Sequence, residues 1–150
     1  MAQRSGEDWR DVKLALSQPW VALCTDYGAM ALDGPLLAEG SAHPRAFAST
    51  ARLLGHYARD EHLFSVEEAV RKMTSLPARR LGLQDRGLVR VGMKADLVAF
   101  DPARISDTAS FEKPMQYPEG IAHVVVNGKL VLDGGERTGA RPGRPLLHSP

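Results

Sequence analysis

The chain has a single cysteine, Cys24, which excludes an intramolecular disulfide and fits a reducing, cytoplasmic setting. It also lacks an excess of either charge. Nineteen Lys and Arg against eighteen Asp and Glu leave no electrostatic case for nucleic acid or an anionic membrane as partner. No apolar run is long enough to span a bilayer, and Met1 to Gly6 are followed by no apolar signal region. The five histidines show neither a His-x-His pair nor two residues four apart on a helix, so no metal centre follows from them. Gly34 and Gly40 flank a loop without a phosphate-binding pattern. The chain contains no internal repeat. Its length and apolar content suit one ordinary domain with a core.

Helical and strand signals follow one another along the chain. Ser5 and Asp8 are helix-capping types ahead of Trp9, Val12 and Leu16, which recur at helical spacing and predict a helix to about Ser17, before Pro19. Trp20-Val21-Ala22-Leu23-Cys24 is a continuous apolar run and predicts a strand covered on both faces. Asp26 to Gly40 reads as a long loop. Phe47, Ala51, Leu54 and Ala58 form one helical face, with Leu53 and Tyr57 beside it. Ser65-Val66-Glu67-Glu68 is a capping box opening a helix with Val66, Ala69, Val70 and Met73 as its apolar stripe. Pro77 to Leu81 suits a further short helix ended by Gly82. From Asp85 the pattern changes to strands: Val89-Arg90-Val91, Ala95 to Phe100, and Val124 to Val126 paired with Leu130 to Leu132 across Asn127-Gly128. The tail from Gly139 to Pro145 has no periodicity. A boundary near Asp85 divides the chain into residues 1–84 and 85–150.

Several residues are candidates for chemistry. On a strand Ala22, Cys24 and Asp26 face one way, which sets Asp26 at the strand's C-terminal end. It is there either to cap the following turn or to carry protons in a site. Arg45 offers the forked donors that match a carboxylate, or else is a surface arginine beginning the Pro44 helix. His43 lines a site or caps that helix. Cys24 reads as a small buried residue. Glu67, Glu68, Arg71 and Lys72 read as a charged helix face, His56 and His62 as solvated, and Asp96 and Asp101 as fixing turns at strand ends.

Taken in order, Thr25-Asp26-Tyr27-Gly28, Ala42-His43-Pro44-Arg45, the run from Ser65 to Leu83 and the segment from Asp85 to Pro102 resemble the C-terminal part of the N-acyl-D-amino-acid deacylases (D-aminoacylases) of the amidohydrolase superfamily. Gly120-Ile121, Val124 to Gly128 and Thr138 to Arg144 complete the match. Ala95-Asp96-Leu97-Val98 and Asn127-Gly128 are shared across the superfamily. Ala42 to Arg45 and Arg71-Lys72-Met73-Thr74-Ser75 point to the deacylases, and argue against a cyclic amidase of the dihydropyrimidinase kind. Thr25-Asp26-Tyr27-Gly28 departs from the Ser-Asp-Gly of many relatives by one residue.

The resemblance implies an α/β fold. Residues 1–84 would be the C-terminal part of a metal-dependent (β/α)₈ barrel, and 85–150 strands of a small β domain. Trp20 to Asp26 would be the last barrel strand, with Asp26 at the rim where barrel enzymes place their chemistry. Asp26 is then the catalytic carboxylate, taking a proton from a zinc-bound water and passing it to the departing amine. A role for Asp26 as a metal ligand also stays open. Arg45 would bind the substrate carboxylate, with His43 beside it. Zinc is expected in the complete enzyme, on strands this chain does not contain, with no tight site in the chain alone. The expected partners are an N-acyl-D-amino acid and the missing N-terminal barrel portion or a partner chain. The chain alone is expected to be inactive and to self-associate through apolar surface. The competing reading is a non-catalytic module built from the same fold.

Overall fold

The computed structural model describes residues 9–28, 31–32 and 43–146. The Ser5 and Asp8 cap and the glycines at 34 and 40 lie outside the described residues. Helix α1 runs Trp9–Ser17, α2 Arg45–Arg52, α3 Val66–Met73 and α4 Ser75–Arg80. Four strands follow, β1 Leu97–Phe100, β2 Ile121–Val126, β3 Lys129–Asp133 and β4 Glu136–Arg137, in one antiparallel sheet of order β1-β2-β3-β4.

Local chemistry explains most of these boundaries. The Ser65 hydroxyl accepts from the Glu68 amide at 3.2 Å, as a helix N-cap should. Helix α4 begins at Ser75, two residues earlier than the proline suggests, and Pro77 still falls in a first turn that needs no amide hydrogen from it. Asn127 and Gly128 both have positive φ, 48° and 76°, and Val126 pairs with Lys129 across them. That is the two-residue turn expected between β-branched runs. Its surroundings join three distant pieces of sequence. The Asn127 amide donates to Asp96 Oδ1 at 2.7 Å, Arg86 donates to Asp96 and to Asn127 Oδ1, and Asn127 Nδ2 holds the Pro142 carbonyl at 2.8 Å. Asp96 therefore fixes the turn, and Asp101 does likewise by accepting the Ala103 amide at 2.9 Å.

Two expected strands are absent among the described residues. Trp20 to Cys24 pairs with no strand, and Trp20 and Cys24 are exposed. Val89 and Val91 are also exposed and lie outside any strand. An apolar run makes a strand only when a neighbour completes its ladder, and none of the four strands lies beside either run. Cys24 is thus not the buried residue its apolar neighbours suggest, because nothing in the described chain covers its face.

The helical face from Phe47 to Ala58 is buried as its spacing predicts, with Leu53 and Tyr57 added. Its second half, Leu53–Asp60, is a π-helix in place of the expected α-helix, and the Glu61 amide donates to the His56 carbonyl five residues back. Gly55 faces the connector between β1 and β2, where a Cβ would overlap the Ile105 carbonyl oxygen. Arg59 Nη1 donates to the carbonyls of Pro102, Ala103 and Ile105 at 3.3, 3.2 and 2.7 Å. Ile105 itself is buried in one cluster with Ala51, Leu53, Leu54, Tyr57, Ala58 and Ala69. The sheet is therefore docked on the helices through its first connector. His62 is exposed as expected, whereas His56 is half-buried and pairs with Glu61 at 3.2 Å.

Helix-borne carboxylates respond to their cations. The Arg71 hydrogen bond holds Glu68 below the usual carboxylate range, Lys13 does the same for Glu61, and Arg59 for Asp60. Each depressed group takes up fewer protons folded than unfolded, so stability is present above the ordinary values and lost as pH falls through the native ones. The melting temperature should hold from neutrality to about pH 5 and decline below it, more shallowly at high salt because these pairs are partly open to solvent. A flat profile through strong acid would contradict the assignment.

Candidate functional site

The site begins on α3, with a residue whose charge conceals its position. Lys72 lies three residues after Ala69 on the buried stripe, and its relative exposure is 0%. It is not part of a solvated charged face, as its neighbours in sequence suggest. The Lys72 ammonium donates to the carbonyls of Gln18 at 2.5 Å and Val21 at 3.0 Å, with Glu68 at 3.6 Å. The Phe64 ring lies 5.8 Å away. Arg71 donates to the Pro19 carbonyl, and the Leu23 amide donates to the Lys72 carbonyl at 3.2 Å. Together these bonds tie the segment after α1 to α3 at residues 18, 19, 21 and 23.

Beyond that clamp the segment alternates. Leu23 and Thr25 are half-buried, with Leu23 packed on the core cluster, while Cys24 and Asp26 are exposed. The alternation of a strand is thus present without its ladder. Asp26 turns the chain at φ 48°, a conformation that aspartate tolerates better than most residues. Its carboxylate is 84% exposed and lies 3.3 Å from Arg45 Nη2. The Arg45 guanidinium also covers the Tyr27 ring, 5.6 Å from its centroid. Arg45 opens α2, and its amide donates to His43 Nδ1 at 3.1 Å. His43, just ahead of the N-cap Pro44, thus accepts the amide of the first residue of α2, and its ring meets Phe111 edge-on at 5.1 Å.

Asp26, His43 and Arg45 are accordingly neighbours in space. An exposed ion pair contributes roughly 0–1 kcal/mol, too little to hold the segment in place. The buried Lys72 clamp sets the geometry, and the Asp26–Arg45 pair sits at its free end. This arrangement presents one carboxylate that can carry a proton and one guanidinium whose remaining donors suit an anion. Among the described residues no group of three or more His, Cys, Asp or Glu is placed to hold a metal ion. Lys72 is the residue missed by reading α3 as amphipathic in charge alone. Its spacing from Ala69 was the available signal.

Replacing Lys72 by Met keeps the side-chain length but leaves the Gln18 and Val21 carbonyls without their donor. Lys72→Met should cost about 2–3 kcal/mol, read as a lower urea midpoint at unchanged slope, with faster hydrogen exchange at the Leu23 amide. An unchanged midpoint and Leu23 protection would contradict the clamp.

Known proteins align with this chain over most of its length. The D-aminoacylase of Alcaligenes xylosoxydans xylosoxydans is 51% identical over 107 residues, covering 71% of this chain and 22% of that protein. The N-acyl-D-aspartate deacylase of the same organism is 50% identical over 105 residues, covering 69% of this chain and 21% of that one. The chain thus spans about a fifth of the length of these curated relatives. The crystal structure of N-acyl-D-glutamate deacylase from Bordetella bronchiseptica, complexed with zinc and a phosphonate mimic of the tetrahedral intermediate, superposes with a TM-score of 0.75 at 36% identity. That match covers 85% of this chain and 26% of that one. With the amidohydrolase family profile matching residues 10–132, the chain belongs to the amidohydrolase family.

Proposed function

We propose that these residues form the C-terminal segment of a zinc-dependent amidohydrolase that cleaves the amide bond of N-acyl-D-amino acids. Residues 1–84 contribute the last helix–strand unit of a (β/α)₈ barrel with its following helices, and residues 85–150 contribute strands of a small β domain. The observation that carries this reading is the 3.3 Å pair of Asp26 and Arg45, in a chain half identical to two deacylases of this substrate class.

Amide hydrolysis releases a proton from the attacking water and requires one at the departing nitrogen. Asp26 accepts the first and delivers the second. Arg45 receives the substrate carboxylate on donors that the single Nη2 contact to Asp26 leaves available, and His43 fixes the start of α2 so that the guanidinium stays in register. The zinc of the complete enzyme rests on ligands beyond this chain, so the chain alone is inactive. The exposed Trp20, Val89, Val91 and Val98 are covered by the remaining barrel and β strands, and without them the chain self-associates.

The test supplies the chain with the remainder of the Alcaligenes D-aminoacylase, fused or as a second polypeptide. In that complex Asp26→Asn should lower kcat by about a hundredfold or more with KM held, and Arg45→Lys should raise KM with kcat largely held. Sedimentation should show the isolated chain as a concentration-dependent oligomer that the remainder converts to a defined complex. Wild-type kcat in Asp26→Asn would remove the proton-carrying role.

A further inference from the structure

Asp26 and Tyr27 are consecutive, yet both reach one guanidinium. In an extended chain their side chains would point to opposite sides. The left-handed turn at Asp26, φ 48°, breaks that alternation, and the Thr25 hydroxyl donates to the Tyr27 carbonyl across it at 3.5 Å. Asp26 Oδ2 then lies 3.3 Å from Arg45 Nη2, and Arg45 Cζ lies over the Tyr27 ring, 5.6 Å from its centroid. Tyr27 is half-buried, whereas the Asp26 side chain is 84% exposed.

The two neighbours hold Arg45 in different ways. Asp26 holds it by charge, and in the proposed reaction that charge vanishes when the carboxylate takes up a proton. An aromatic face attracts a cation through its quadrupole, which no proton transfer at Asp26 alters. It also brings no anionic oxygen to compete with a substrate carboxylate for the guanidinium's donors. The Arg45 side chain is 43% exposed, so a ligand can reach those donors while the ring restrains them.

We infer that Tyr27 is a positioning residue of the deacylase site, its ring keeping the Arg45 guanidinium in place for the substrate carboxylate while Asp26 changes charge. The inference rests on the function proposed above. Tyr27 acts through Arg45, so its effect belongs to substrate binding and not to the proton transfer.

The experiment uses the complete chain complexed with the remainder of the Alcaligenes D-aminoacylase, with N-acetyl-D-leucine and N-acetyl-D-aspartate as substrates. Tyr27→Leu, which keeps an apolar body but removes the ring, should raise KM about threefold with kcat within about twofold. Tyr27→Phe, which keeps the ring, should hold the wild-type KM. In an Asp26→Asn complex, where the carboxylate no longer shares the task, adding Tyr27→Leu should raise KM about tenfold. Three results overturn the inference and leave the deacylase reading intact: a Tyr27→Leu loss absent or carried by kcat, a Tyr27→Phe complex as impaired as Tyr27→Leu, or an equal KM rise with and without Asp26→Asn. A folded, zinc-loaded wild-type complex that hydrolyses neither substrate overturns both.

Discussion

The geometry of this chain depends on one buried cation. Lys72 is enclosed in the helical face, yet its ammonium ends on the carbonyls of Gln18 and Val21. A lone charge there would be costly. The two carbonyls stabilise it, and Glu68 at 3.6 Å supplies the opposite charge. The contact also answers a problem posed by the sequence, because the apolar run from Trp20 to Cys24 finds no ladder neighbour among the described residues. The backbone is held from the side by α3 instead, through Lys72, Arg71 and the Leu23 amide. Asp26 lies three residues beyond the last of these bonds, close enough to inherit their order and far enough to face solvent.

A second constraint joins the sheet to this frame. Gly55 allows the π-helix to lie against the Ile105 carbonyl, and Arg59 draws in the carbonyls around it. Burying Ile105 in the helical core fixes where the connector leaves the sheet. From that point the chain runs past Asp107, whose carboxylate meets Arg52 of α2 at 2.8 Å, and on to Tyr117 and Phe111. The β part therefore touches α2 along a path that ends at His43. Docking and site geometry are consequences of the same contacts, which cross the boundary near residue 85 that periodicity suggests.

Features encoded within a few residues were legible in the sequence. The Ser65 cap, the Asn127-Gly128 turn and the buried face from Phe47 to Ala58 each follow from local chemistry, and each appears in the structure. Those that depend on a partner were not. Trp20 to Cys24 and Val89 to Val91 have the composition of strands but no neighbour to pair with among the described residues, and Cys24 is exposed for the same reason. The π-helix follows the apolar spacing of an α-helix, so its wider turn was invisible until Gly55 met Ile105. Within the candidate site, Asp26, His43 and Arg45 stood out through family motifs rather than spacing, since a turn aspartate and a surface arginine are equally good local readings. Tyr27 gave no signal of its contact with Arg45, because an aromatic beside a turn carries none until the fold sets a cation over it.

The central claim is that this chain completes an amidohydrolase site it cannot form alone. Its most direct test is bound zinc and N-acetyl-D-amino acid hydrolysis measured on the chain, on the remainder of the Alcaligenes D-aminoacylase, and on the two together. The account predicts no turnover from the chain alone, and both bound zinc and turnover when the two are combined. Metal-dependent hydrolysis by the purified chain alone would contradict it, as would a combined sample that assembles, binds zinc and remains inert.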